Sequence, residues 1–237
     1  MAAEKDGVSL NLIFDADDTL WDSNIHFLEA QSEFLETLGR AGLNDHSVVH
    51  AAIRTHELAI IEEVGYGRRP YVMALHRVVE DILHPDLHDE VRPVVDSIGE
   101  RLLERHCELL PGVEETLAEL AQRHRLLLFT KGQPAEQLRK LERSGLRDFF
   151  ARVGVPLEKD VAAYRRLVAQ AALDPAHTVM IGNSPRSDIN PAIQAGLRGA
   201  VYVPHPHTWV LEHQDVRVPE GARFLRVEKF ADLRRYF

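Results

Sequence analysis

Two aspartates two residues apart, Asp15 and Asp17, close a short apolar run and are followed by Thr19. A carboxylate so placed can attack phosphorus and form an acyl phosphate. A second carboxylate within reach can protonate a leaving oxygen and later take a proton from water. Further along stand Thr130-Lys131-Gly132, then Lys159, then Gly182-Asn183-Ser184-Pro185-Arg186-Ser187-Asp188. Two carboxylates ~4 Å apart repel by ~4 kcal/mol at an effective dielectric of ~20. A hard cation such as Mg²⁺, which takes oxygen ligands and few of them from protein, makes such a cluster tolerable. It would also bind a phosphoryl oxygen and spread the charge that develops in transfer. Lys159 would neutralise the anionic nucleophile and the phosphate, while the Thr130 hydroxyl and nearby backbone amides would hold the non-transferring oxygens.

These residues meet only if the elements before them share one rim. Residues 10–14 (Leu-Asn-Leu-Ile-Phe) read as a strand buried on both faces. From about residue 24 to 110, apolar residues three and four apart predict four consecutive helices, over 25–38, 47–64, 71–83 and 91–110. Breaks fall at Gly39/Gly42, at Gly65-Tyr66-Gly67 with Pro70, and at Pro85. After Pro111-Gly112 helix and strand alternate. Strands are expected at 125–129, 151–155, 178–181, 200–203 and 224–227, and helices at 113–123, 133–144, 160–172 and 189–195. Gly145 suits a left-handed C-terminal cap for the second of those helices. This alternation predicts an α/β fold, a doubly wound parallel sheet with helices on both faces, interrupted by an all-helical insertion. In such sheets ligands sit beyond the C-terminal strand ends, and each candidate residue follows a strand.

In that order, Asp15-x-Asp17-x-Thr19, Thr130, Lys159 and the stretch from Gly182 to Asp188 resemble the four motifs of the haloacid dehalogenase-like superfamily. The resemblance covers residues 8–22 and 111–237, and the helical stretch is similar to that superfamily's inserted cap. It implies a Rossmann-like core over 1–22 and 111–237 and a cap over 23–110, closing about hinges at 21–23 and 110–112. It further implies Asp15 as nucleophile and Asp17 as acid/base with its main-chain carbonyl on the metal. Thr130 and Lys159 would stabilise phosphate and charge, and Asp188 would serve a Mg²⁺ site. Members that cleave carbon–halogen bonds have no alkoxide to protonate and lack an Asp at the position of Asp17, so phosphate ester hydrolysis is the implied reaction. Transfer to a sugar hydroxyl, as in a phosphomutase, and phosphate binding without turnover are the competing readings.

Two departures from the family pattern stand out. Asn183 occupies a position usually filled by Asp, so Asp188 is expected to carry more of the metal binding, with Asn183 a weaker ligand. Lys131 follows Thr130 where many phosphatases have Asn, which adds positive charge near the phosphate or leaves a solvated side chain; Gly132 lies beside it. Asp188 could also cap the helix after it. In the insertion, residues 65–70 (Gly-Tyr-Gly-Arg-Arg-Pro) read as a loop whose Arg68 and Arg69 either meet substrate or face water. Trp21 reads as packing at the hinge, and Arg186 as a surface residue. His205-Pro206-His207 has no Cys or Glu at recognised zinc spacing, so it does not read as a zinc site.

Composition excludes other classes. The 237 residues carry a formal net charge of -9, against a main role in binding nucleic acid, whose phosphates recruit basic faces. The longest apolar runs are of strand length, short of the ~20 residues of a bilayer span. Residues 1–9 lack the apolar core of a signal peptide. The single cysteine, Cys107, cannot form an intramolecular disulfide and is expected to be a buried or half-buried thiol, in keeping with a reducing cytoplasm. The expected partner is a small phosphorylated metabolite; its identity and the oligomeric state are not encoded in these motifs.

Overall fold

The computed structural model describes residues 9–106 and 108–237; the setting expected for Cys107 and most of the N-terminal stretch lie outside them. The chain divides into two compact units, Met1–Asn24 with Cys107–Phe237, and Ile25–His106. No helix among the described residues is long and apolar enough to cross a membrane.

The first unit is built on a six-stranded sheet. Its strands are β1 (Asn11–Phe14), β2 (Arg125–Phe129), β3 (Arg152–Gly154), β4 (Thr178–Gly182), β5 (Gly199–Tyr202) and β6 (Arg223–Arg226), in the order β3-β2-β1-β4-β5-β6. All five pairings are parallel. Side chains alternate across the central strand. Leu12 and Phe14 join Leu117, Leu126, Leu128, Val179 and Ile181 on one face, whereas Ile13 joins Leu127, Phe129, Met180, Tyr164 and Ile193 on the other. Both faces are thus covered, which is why β1 carries no polar residue after Asn11.

The second unit holds α1 (Asn24–Arg40), α2 (His46–Val64), α3 (Arg68–Ile82) and α4 (His88–Glu104). Their inward stripes, such as Ala30, Phe34 and Leu38 on α1, meet Val49, Ile53, Leu75, Val78, Val79, Val95 and Ile98 in one core. Asp45 caps α2 by accepting from the N–H groups of Ser47 and Val48.

Two expectations need correction. Helix α3 begins at Arg68, so Arg68 and Arg69 belong to its first turn and not to a loop. Pro70 does not prevent this, because amide donors in a first helical turn have no intrahelical acceptor to lose. Arg68 is buried and donates to the Arg105 carbonyl at 2.8 Å, while Arg69 is exposed. Helix α4 starts at His88 and stops at Glu104, short of residue 110. The backbone of 108–110 is engaged elsewhere: Asp22 N–H donates to the Glu108 carbonyl, Leu110 N–H to the Leu20 carbonyl, and Leu109 bridges Trp21 in antiparallel fashion.

The remaining core helices are α5 (Val113–Leu120), α6 (Pro134–Ser144), α7 (Val161–Gln170) and α8 (Asn190–Gln194). Gly145 caps α6 at φ 74°, the left-handed region where glycine pays no steric penalty. The C-terminal segment Phe230–Arg235 is a 3₁₀ helix.

Candidate active site

Strand β1 ends at Phe14, and Asp15 N–H continues the ladder to the Ile181 carbonyl at 3.0 Å. The chain then turns sharply. Thr19 and Leu20 N–H groups bond back to the Ala16 carbonyl, and Asp18 adopts φ 58°, a conformation that Asp and Asn tolerate better than most side chains. This turn aims Asp15 inward, where it is 6% exposed. Its Oδ1 accepts from Lys159 Nζ at 2.5 Å, and its Oδ2 lies 3.2 Å from Thr19 Oγ1.

Lys159 is shared. Its ammonium also bonds Oδ1 of Asp188, which has no solvent exposure. Asp188 Oδ2 accepts from Ser184 N–H at 2.9 Å. Asp188 approaches β4 so closely that a Cβ at Gly182 would lie 2.5 Å from its Cγ, so glycine is required there. The expected cap is made by Ser184, whose hydroxyl accepts from Ser187 N–H at 2.8 Å; one π-helical turn, Pro185–Ile189, then leads into α8.

The charges are unevenly satisfied. Burial raises the Asp15 carboxyl above its ordinary range, with Lys159 countering only in part. Burial and then Asp15 push Asp188 up to about 7, again against Lys159. Lys159 is itself desolvated, yet the two carboxylates hold its proton more tightly than in free lysine. Two buried carboxylates facing one ammonium leave the cluster short of positive charge, and its donors are hard oxygens, so these residues fit a divalent cation. Asn183 contributes less, because its Oδ1 faces Thr19 Oγ1 at 3.2 Å and its Nδ2 donates to Thr208 Oγ1 at 2.9 Å.

Asp17 has a setting that the sequence does not reveal. Its carboxylate accepts from Trp21 Nε1 at 2.7 Å, Gln137 Nε2 at 2.9 Å and Lys140 Nζ at 2.9 and 3.0 Å. Burial alone would raise it, but Lys140, Gln137 and Trp21 together bring it down to about 2. Gln137 and Lys140 lie three residues apart on the inward face of α6, and Lys140 is only 8% exposed. The signal for them was a polar pair on a face that should be apolar, with Leu138 turned outward instead. Gly132, at φ 137°, leaves room for Gln137: a Cβ there would meet its Nε2 at 2.8 Å.

Thr130 follows β2, is buried, and donates its N–H to the Gly154 carbonyl at 3.1 Å. Lys131 is not solvated. It pairs with Glu212 and lies 3.2 Å from Ser187 Oγ. Glu212, despite burial, is brought down to about 2 by Lys131, Ser184 and Ser187. The first unit therefore gathers Asp15, Asp17, Thr130, Lys131, Lys159, Asn183 and Asp188 at strand ends or in the loops after them. Arg68 and Arg69 belong to the helical unit.

The family model for haloacid dehalogenase-like hydrolases matches residues 11–196. A curated relative, pyrimidine 5'-nucleotidase YjjG of Escherichia coli strain K12, is 33% identical over 97 residues, which are 38% of this chain and 43% of that protein. The chain thus matches less than half the length of that relative. A haloacid dehalogenase-like family hydrolase from Xanthomonas campestris is 30% identical with a TM-score of 0.77, covering 94% of this chain and 92% of its own. A 2-haloacid dehalogenase from Pseudomonas syringae pv. Tomato DC3000 shares the fold at 22% identity and a TM-score of 0.60, covering 96% and 97%. With its matched region running from β1 through α8, the chain belongs to the haloacid dehalogenase-like hydrolase family.

Proposed function

We propose that this hydrolase acts on phosphate monoesters of small metabolites, with Asp15 as nucleophile and Mg²⁺ as cofactor. The observation that carries the reading is the pairing of two differently held carboxylates two residues apart, Asp15 buried and Asp17 partly exposed. Asp15 stands against Lys159, and Asp17 stands in its own cationic pocket. A dehalogenase needs the first but has no leaving oxygen for the second to protonate.

In this mechanism an Asp15 oxygen attacks phosphorus while the ester oxygen departs, giving an aspartyl phosphate and an alcohol. Asp17 supplies the proton to that oxygen, then takes one from the water that cleaves the acyl phosphate and returns Asp15 and inorganic phosphate. At about 2, Asp17 in its observed pocket is ionised at neutral pH, so its carboxylate must leave Lys140 to carry a proton. Lys159 keeps Asp15 oriented and offsets phosphate charge, and the Thr130 hydroxyl serves the non-transferring oxygens. Asp15, the Asp17 main-chain carbonyl and Asp188 would hold Mg²⁺, which supplies charge neutralisation for the phosphoryl group. The helical unit Ile25–His106 would act as a cap that excludes water and selects substrate, with the exposed Arg69 as a candidate contact.

The test is release of inorganic phosphate from a panel of phosphomonoesters in Mg²⁺, led by nucleoside 5'-monophosphates because of the similarity to YjjG. Turnover by the wild type, lost at least ~1000-fold in Asp15→Asn, supports the reading. Turnover that persists in Asp15→Asn overturns it, as does chloride or fluoride release from haloacids without phosphatase activity.

A further inference from the structure

Outside the carboxylate–lysine cluster, three side chains with nitrogen and oxygen donors converge. Asp22 leaves the first motif toward α1, and His205 and His207 stand in the loop after β5. One ligand atom from each lies within 4.8 Å of the others. His205 Nε2 is 3.0 Å from Asp22 Oδ1, and the two imidazole centroids are 5.6 Å apart with rings nearly perpendicular. His207 Nδ1 is buried and has no hydrogen-bond partner among the described residues. Leaving such an atom unsatisfied forfeits the hydration it had in the unfolded chain, so a ligand for it would be stabilising.

The scaffold around the three is already ordered. Asn24 Nδ2 donates to the His207 carbonyl at 2.6 Å. Thr208 donates both its N–H and its hydroxyl to the His205 carbonyl, at 3.2 and 3.0 Å. His205 Nδ1 accepts a long bond from His207 N–H at 3.3 Å, which leaves its proton on Nε2, shared with Asp22. In a tetrahedral zinc site with bonds of about 2.0–2.1 Å, neighbouring ligand atoms are roughly 3.3 Å apart. The His205–Asp22 spacing already approaches that value.

We propose that Asp22, His205 and His207 form a second metal site, selective for a borderline first-row divalent ion of the Zn²⁺ class over Mg²⁺. Two imidazole nitrogens and one carboxylate oxygen suit such an ion, whereas Mg²⁺ prefers oxygen alone and stays with the Asp15 cluster. When the ion binds His205 Nε2, the ring proton moves to Nδ1 and the long bond from His207 N–H is given up. Nδ1–H then faces Asp18 Oδ1, 3.8 Å away, a carboxylate placed to orient a ligating imidazole. The three protein ligands leave a fourth position for water. The sequence shows the His-x-His pair but not the third ligand, because Asp22 reaches the pair only through the β1 and β5 strand ends.

The full-length protein would be titrated with Zn²⁺ in competition with a chromogenic chelator, with millimolar Mg²⁺ present throughout. The expected result is one equivalent bound by the wild type, weakened at least ~10-fold in His207→Gln and in Asp22→Asn. Crystals soaked in Zn²⁺ should give an anomalous peak about 2.0–2.2 Å from donor atoms of all three residues. That map decides the matter should either variant fail to fold by circular dichroism. Absence of Zn²⁺ binding by the wild type, equal affinity in both folded variants, or an anomalous peak confined to Asp15 and Asp188 overturns the proposal.

Discussion

The Lys140 ammonium lies 2.9 and 3.0 Å from the two carboxylate oxygens of Asp17, 123 residues away in the chain. This pair, more than anything else near the strand ends, fixes the state of the second motif aspartate. Lys140→Met removes the largest influence that lowers the Asp17 carboxyl, so its pKa rises from about 2. Because the folded value lies below the ordinary 3.8, the stabilisation is fully present above about pH 4 and is lost as pH falls toward 2. We expect Lys140→Met to lose about 1–2 kcal/mol at pH 7, allowing for partial solvent screening at Asp17. Urea midpoints of the two proteins should converge below pH 4; a gap that stays constant with pH would show that packing, not charge, is responsible.

Asp17→Asn separates proton transfer from phosphoryl transfer. An aryl phosphate leaves without much help, whereas an alkyl phosphate needs its oxygen protonated. The variant should therefore lose about 100-fold or more in kcat/KM on an alkyl ester and much less on p-nitrophenyl phosphate. Equal losses on both would remove Asp17 from the role of general acid.

Gly182→Ala tests the approach of Asp188 to β4. The new methyl would sit 2.5 Å from Asp188 Cγ, so the buried Asp188 side chain, bonded to Lys159 and to Ser184 N–H, must shift to admit it. A stability loss of about 2–3 kcal/mol is expected, with a shift of Asp188 away from Lys159. Thermal unfolding and a crystal structure of the variant would check it; an unmoved Asp188 with wild-type stability is the contrary outcome.

The helical unit carries its own pH dependence. Burial raises Glu57 to about 7, well above its ordinary 4.5. Nearby, Tyr71 is buried with no partner for its hydroxyl among the described residues, and burial and Glu57 raise its pKa too. A raised folded value means that Glu57 favours folding below about pH 4.5 and that this advantage is lost as pH rises through 7. Glu57→Gln should flatten the fall in stability between pH 5 and 8, worth about 2 kcal/mol after allowing for its partial exposure. Tyr71→Phe should be neutral or stabilising by up to about 1 kcal/mol, since it deletes an unsatisfied hydroxyl. Denaturant midpoints at the two pH values measure both.

The sequence carried what local chemistry dictates. The run before Asp15 suits a doubly covered strand, Gly145 suits a left-handed cap for α6, and Asp15, Thr130, Lys159 and Asp188 each follow a strand of an alternating pattern. It did not carry what depends on long-range approach. The polar pair of Gln137 and Lys140 on one helix face is visible in the sequence, but nothing local says that it meets Asp17. Lys131 reads either as charge beside the phosphate or as a solvated side chain, and its partner is hidden because Glu212 lies 81 residues further on. The sequence keeps a helical rhythm up to residue 110, yet the backbone groups of 108–110 are claimed by residues 20–22, and pairing outranks propensity.

That last pairing has an engineering corollary. Asp22 N–H meets the Glu108 carbonyl at 2.9 Å, so the two chain crossings are laced side by side like the legs of a hairpin. A short Asn-Gly turn joining them would excise the whole helical insert while leaving every parallel ladder of the sheet uncut. The resulting miniature protein is expected to keep a cooperative urea transition, and a broad, non-cooperative one would tie the stability of the sheet to the insert.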